Sequence, residues 1–204
     1  MGLFSSSTPA NLQPFQPPLG VNLNYAVPQP TTLVLKERAF TFSGDDFQVR
    51  DAAGVTVCRV EGKAIGFGDK KNFKDTNGNQ LFQLRTKLIA IKKTFVATDP
   101  SDKEIFVVKK KMALMGSKMV ATFTNASDGR EIELVCRGNI IDKQCTVTVG
   151  DDERPVATIS RQVMNMREIF TDNQTYFVTV APNVDLVLMA ALAVCFDECE
   201  HEGN

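Results

Sequence analysis

The chain has no tryptophan and one histidine, His201, and it carries no charged residue before Lys36. Each shortage removes a class of function. A Ser-His-Asp triad, a Cys-His dyad or a multi-histidine metal site would all have to recruit one imidazole lying four residues from the end. Most hydrolase chemistry is thereby set aside, and no catalytic residue is assigned. The formal net charge of −1 excludes a generally basic surface and disfavours nucleic acid as a partner. The longest apolar run, Leu186 to Phe196, is eleven residues. At ~1.5 Å rise it spans ~16 Å, about half of a ~30 Å hydrocarbon layer, so a transmembrane segment is not expected.

Cysteine is sparse and scattered. Five residues, Cys58, Cys136, Cys145, Cys195 and Cys199, with no secretory signal pattern ahead of them, read as reduced thiols of a cytoplasmic protein. Cys195 and Cys199 would share a helical face close to His201, but no second pair with ligand spacing completes a metal site, so no metal or other cofactor is expected. The sequon Asn125-Ala126-Ser127 carries no weight in such a compartment. Asp75-Thr76-Asn77-Gly78-Asn79 begins like a calcium loop, yet its sixth position is Gln80 and its twelfth Thr86, which makes it a hairpin turn.

What is present is turn chemistry and alternation. Six of the nine prolines fall in the first 30 residues, so residues 1–31 are expected to form a flexible or surface-hugging arm. From Thr32 onward, β-rich runs are punctuated by Asp51-Ala52-Ala53-Gly54, Asp75 to Asn79, Asp99-Pro100-Ser101-Asp102, Asn125 to Gly129, Gly150 to Glu153 and Asp172-Asn173-Gln174. Six such turns predict about twelve strands. In Glu131 to Arg137, Ile132, Leu134 and Cys136 fall on one face and Glu131, Glu133 and Arg137 on the other, as an antiparallel sheet with one wet face requires. The run Leu186 to Phe196 breaks the pattern. It is rich in helix formers, follows Pro182-Asn183 and Asp185, and is apolar on every side. A helix of that kind, near residues 185–197, must be enclosed, and the geometry that encloses it in a β protein is a closed barrel with the helix along its axis. The reading is therefore a mainly β domain over 32–198, an antiparallel closed barrel of about twelve strands around a hydrophobic C-terminal helix, with an acidic tail at 199–204.

The run Tyr176-Phe177-Val178-Thr179-Val180-Ala181-Pro182-Asn183-Val184-Asp185 and the helix after it resemble the LURP-one-related family of the tubby C-terminal-like superfamily, kin to the phospholipid scramblases. So do Phe40 to Val49, the Asp75 to Asn79 turn leading into Leu81 to Arg85, and Ile105 to Lys110. The similarity spans about residues 30 to 198. Thr94-Phe95 stands where relatives often carry tryptophan. The resemblance implies the twelve-stranded barrel around a central helix. It also implies a non-enzymatic role, binding phosphoinositides through surface Lys and Arg as tubby domains do, regulating defence as plant members do, or moving lipid as scramblases do.

One stretch carries the charge such a role needs. Between Arg85 and Lys118 lie nine cations and three anions, a net of +6. The candidate lipid-binding residues are Arg85, Lys87, Lys92, Lys93, Lys109, Lys110 and Lys111. Each well-placed cation is worth about 1 kcal/mol against anionic headgroups. Gly2, in Met1-Gly2-Leu3-Phe4-Ser5-Ser6, fits the N-myristoylation pattern, and a single acyl chain needs a second signal such as a polybasic face. The functional expectation is a module at the cytoplasmic surface of the plasma membrane that binds anionic phospholipid, phosphoinositides included. An acidic protein partner on the same face and scramblase-like activity are the alternatives.

Overall fold

The computed structural model describes residues 12–36, 47–63, 70–89, 92–111, 117–139, 144–150, 154–160 and 175–200. Twelve strands form one closed antiparallel barrel. In chain order they are β1 (Thr31–Lys36), β2 (Phe47–Asp51), β3 (Thr56–Lys63), β4 (Lys70–Lys74), β5 (Gln80–Ile89), β6 (Lys92–Thr98), β7 (Glu104–Lys111), β8 (Ser117–Thr124), β9 (Glu131–Asn139), β10 (Gln144–Val149), β11 (Pro155–Ser160) and β12 (Thr175–Val180). Each pairs with its sequence neighbour, and β1 closes the ring against β12, from Thr31 opposite Val180 to Lys36 opposite Thr175. Closure leaves no edge to protect.

The turns read at Asp51, Asp75, Asp99, Asn125 and Gly150 gather at one mouth. Three of them use the same device. Oδ1 of Asp51 accepts from the backbone N–H groups of Ala53 and Val55, that of Asp75 from Asn77 and Asn79, and that of Asp99 from Ser101 and Lys103. These carboxylates spend their acceptor capacity on their own backbone, the Asx-turn mechanism that favours Asp at a hairpin start. The expected turn at Asp172 to Gln174 lies outside the described residues.

Inside the ring runs α1 (Leu186–Glu200), buried along its length from Leu186 to Cys199. Its lack of a polar face is explained by its surroundings, since strands including β1, β3, β7, β8 and β12 pack around it. Phe73, Phe82 and Phe106 fill adjoining interior positions, with ring centroids 4.5 Å apart in the first pair and 5.3 Å in the second. Cys136 and Cys145 are joined as a disulfide between β9 and β10, where the sequence is read as holding only reduced thiols. Strand register brings together two residues that composition alone leaves unrelated. Cys58, Cys195 and Cys199 take no part in a disulfide and are buried.

Where a flexible or surface-hugging arm is expected, residues 12–30 run across the turn-bearing mouth and are fastened there. Phe15 and Leu19 are buried. Phe15 N–H donates to the Pro182 carbonyl (3.1 Å), Leu19 N–H to that of Asn183 (2.9 Å), and Asp185 N–H to that of Leu19 (2.9 Å). The Arg154 guanidinium lies 3.7 Å from the centre of the Phe15 ring. Asn125, buried, accepts from Gly20 N–H (2.9 Å) and donates to the Pro18 carbonyl (3.2 Å), so the sequon asparagine is a clamp for the arm.

Asp185 organises this end. Its Oδ1 caps α1 by accepting from Val187 and Leu188 N–H at 3.0 and 3.1 Å, while Oδ2 accepts from Val21 and Asn22 N–H at 3.2 and 2.9 Å. Gly20 is packed so closely that an added Cβ would lie 2.2 Å from the Asp185 Cβ. Replacing Gly20 with alanine should cost about 3 kcal/mol of unfolding free energy by urea titration, the upper range of overpacking. Burial pushes the Asp185 carboxyl up to about 6, against the pull of its four backbone donors. A raised carboxyl is protonated more readily in the native state. Its contribution is therefore greatest below about pH 4, falls as the pH climbs toward 6 and is flat above. Unfolding of wild type and Asp185→Asn between pH 4 and 7 should show wild type losing up to about 3 kcal/mol relative to the variant. Parallel curves would refute the shift.

Candidate functional site

Side-chain parity sorts the expected cations into two populations. On β7, Phe106, Val108 and Lys110 point inward, and Lys109 and Lys111 are exposed. On β5, Phe82 and Leu84 point inward and Lys87 is exposed. On β6, Lys93 shares the interior face with Phe95 and Ala97 and is buried. The described part of Lys92 is its strand position opposite Ile89. Gly2 lies outside the described residues.

Pairing then aligns the outward group. Lys87 faces Thr94, which faces Lys109, so these two lysines stand two strands apart with buried Thr94 between them. Lys111 faces Lys118, which faces Arg137. Lys109 and Lys111 are ~7 Å apart along β7, and neighbouring strands are ~4.8 Å apart. Five cations thus occupy two adjacent outer rows over β5 to β9. Among the described residues no carboxylate pairs with Lys87, Lys109 or Lys111. Arg137 donates to the Thr148 hydroxyl at 3.5 Å and is exposed.

Arg85 points outward with Lys87, two residues nearer the turn-bearing mouth, and its guanidinium meets Asp102 at 2.9 Å, which neutralises it locally. That ion pair is solvent-exposed on the Asp102 side and is worth at most about 1 kcal/mol.

Lys93 and Lys110 are corrections to the expected lipid-binding set. Both reach the C-terminal end of α1. Lys93 Nζ donates to the Glu198 carbonyl at 3.2 Å, and Lys110 Nζ to the Cys199 carbonyl at 2.7 Å. Lys71 on β4, which the sequence reading passed over, completes the set with a 2.6 Å ion pair to the buried Glu198 carboxylate. Thr86 donates to the other oxygen of that carboxylate at 3.3 Å, and Lys93 Nζ lies 3.9 Å from it. Tyr176 donates to Asp197 at 2.6 Å. The last carbonyls of a helix lack intrahelical donors and carry partial negative charge, so inward lysines answer both needs. Their parity was readable: Lys71 alternates with Phe73, Lys93 with Phe95, and Lys110 with Val108. The missing signal was the identity of the interior partner, a helix end more than 85 residues away in sequence.

At the mouth holding the N-terminal end of α1, Asp51, Asp75, Asp99, Asp102, Glu104, Asp128 and Glu131 are interleaved with Arg50, Lys74, Lys103, Arg130 and Arg154, so neither sign dominates strongly. The outer rows of Lys87, Lys109, Lys111, Lys118 and Arg137 lie on the β5 to β9 flank near the C-terminal end of α1. Among the described residues no cluster of three His, Cys, Asp or Glu side chains is suited to a metal ion.

A family model described as LURP-one-related matches residues 31–197. Relatives from Arabidopsis thaliana include Protein LURP-one-related 15, 23% identical with 90% of this chain and 87% of the relative covered. Protein LURP1 is 24% identical over 92% of this chain and 93% of its own. A crystal structure of a protein from Arabidopsis thaliana superposes with a TM-score of 0.60 at 21% identity, covering 88% of this chain and 96% of that one, which is a likeness of fold. With the family model spanning nearly the whole barrel and its helix, the chain belongs to the LURP-one-related family.

Proposed function

We propose that the protein is a non-enzymatic module that docks on anionic phospholipid, phosphoinositides included, through Lys87, Lys109 and Lys111, with Lys118 and Arg137 alongside. The observation that supports this most is the strand register, which gathers five cations into two neighbouring rows on the β5 to β9 flank. Cations grouped on one flank would turn that flank toward a negatively charged surface.

The magnitudes favour weak, reversible docking. Lys87, Lys109, Lys111 and Lys118 at about 1 kcal/mol each give about 4 kcal/mol, a local enrichment of roughly a thousandfold that salt would erode. An acyl chain on Gly2 would add a second signal of comparable size. It would come from the far side, because the arm crosses the opposite mouth. Residues 2–11 can span at most ~35 Å, enough to run the length of the barrel only when nearly extended. Myristoylation and surface charge would then act on one bilayer if the barrel leans on the flank formed by β5 to β9.

No helix among the described residues is long and apolar enough to cross a membrane. Scramblase-like activity through α1 would require withdrawing it from the barrel and breaking the contacts at both of its ends. Docking through the outer rows leaves those contacts intact, and is the reading we prefer. An acidic protein partner on the same rows remains the alternative to a lipid surface.

The triple variant Lys87→Ala, Lys109→Ala, Lys111→Ala removes about 3 kcal/mol of attraction and should weaken sedimentation with vesicles containing phosphatidylserine or phosphatidylinositol phosphates about 100-fold, with an unchanged melting temperature. Equal binding by wild type and variant would overturn the proposal. Lys110→Ala, by contrast, should lower the melting temperature, because it leaves the Cys199 carbonyl without its lysine donor.

A further inference from the structure

Cys136 and Cys145 lie at diagonal positions of the β9–β10 ladder, Cys136 opposite Val147 and Cys145 opposite Gly138. The residue directly across from Cys145 is thus a glycine. With no side chain there, the diagonal Cys136 reaches Cys145, and their Cα atoms are 6.1 Å apart, inside the ~4.4–6.8 Å span of disulfides. Both face the barrel interior and are buried. Their position along the strands matters as much as their contact. Only one further residue pair, Gln144 opposite Asn139, separates Cys145 from the end of the ladder, and Cys145 opposite Ile159 is the last pair of the β10–β11 ladder. Strand ends open at far lower free energy than strand centres, so fraying this end of β10 from both neighbours admits a small thiol or disulfide without unfolding the barrel.

The other cysteines are poor competitors. Cys58 and Cys195 are buried, and burial pushes the Cys58 thiol up to about 12. Thiolate is the reactive form, so they are inert beside a pair whose ladder end can open.

The same strand end carries Arg137, between Cys136 and Gly138, in the outer row with Lys118 and Lys111. A covalent tie between β9 and β10 fixes their register, and register decides which face each side chain occupies. We infer that Cys136 and Cys145 form a reversible cross-strand disulfide that locks this end of β9 and β10 and holds Arg137 in the cation row. This rests in part on the lipid-docking reading above. In the forward direction one cysteine thiolate attacks a low-molecular-weight disulfide and expels one small thiolate, leaving a mixed disulfide. The second cysteine thiolate attacks the protein sulfur of that intermediate and expels the other small thiolate. Two S–H bonds are lost, one intramolecular S–S bond forms, and the small disulfide is reduced to two thiols. A dithiol reductant reverses the sequence.

The test uses the full chain equilibrated natively with oxidised glutathione or with excess dithiothreitol, followed by alkylation and peptide mass spectrometry. The Cys136 and Cys145 peptides should be disulfide-linked in the first case and doubly alkylated in the second. Oxidation should raise the melting temperature by roughly 5 °C, as expected for a short closed loop. Binding to phosphatidylserine vesicles should weaken about two- to fivefold on reduction, and Cys136→Ser/Cys145→Ser should ignore redox state in both assays. Thiols that stay unlinked under oxidation, or a bond that resists native reduction, would overturn the switch. Wild type that changes linkage and melting temperature but never binds vesicles would refute the docking reading and leave the reversible disulfide standing.

Discussion

An α-helix that is apolar on all sides can lie only where every side is covered, and its two ends must still find partners for unsatisfied backbone groups. Most of this structure follows from those two demands on α1. The first closes the sheet into a ring, since a flat sheet covers one side of a helix only. The second populates the mouths. At the N-terminal end Asp185 accepts from the first turn of the helix and from the arm together, which ties the proline-rich segment to the barrel. At the C-terminal end Lys71, Lys93 and Lys110 converge on Glu198 and the last carbonyls. Each end is sealed by a charge placed inside the barrel, where an unpartnered one would cost several kcal/mol.

The lysine-rich strands therefore serve two masters. Consecutive residues on a strand point to opposite faces, so a run such as Lys109-Lys110-Lys111 sends its middle member to the helix and its outer members to solvent. What resembles one basic motif faces the helix and the solvent by turns. The arrangement has a useful consequence: the inward lysines anchor the same strand ends whose outward lysines form the rows, so the surface charge stands on a fixed frame. Docking need not spend binding energy on ordering those strand ends.

The carboxylates at the turn-bearing mouth have a similarly simple origin. Hairpin turns want Asp, Asn and Gly for backbone reasons, and the described turns fall at one mouth, where their carboxylates are interleaved with cations such as Lys103 and Arg130. The helix terminus wants cations, and it lies at the other. Local turn chemistry and helix capping, neither concerned with a ligand, thus place charges at both mouths. A membrane surface would meet the cation rows over β5 to β9, and the cross-strand cysteines sit at the end of β9 and β10 beside them.

Much of the fold was legible in the residues. Alternation in Glu131 to Arg137, the turn residues from Asp51 to Gly150 and the unbroken apolar run Leu186 to Phe196 together point to a closed barrel around a helix, because hydrophobic period and turn preference are local properties of the chain. The site was only half legible. Lys87, Lys109 and Lys111 fall where strand parity puts them, but no local pattern singles out Lys71, separates Lys93 and Lys110 from the other candidate cations as partners of the helix end, or joins Cys136 to Cys145. The sequence by itself determined the alternation of every strand and the need to enclose the helix. Only the tertiary structure decided which lysines belong to the helix end, which cations share a row and where the arm is fastened, because those depend on register and on partners far away in the chain, and no local pattern encodes them.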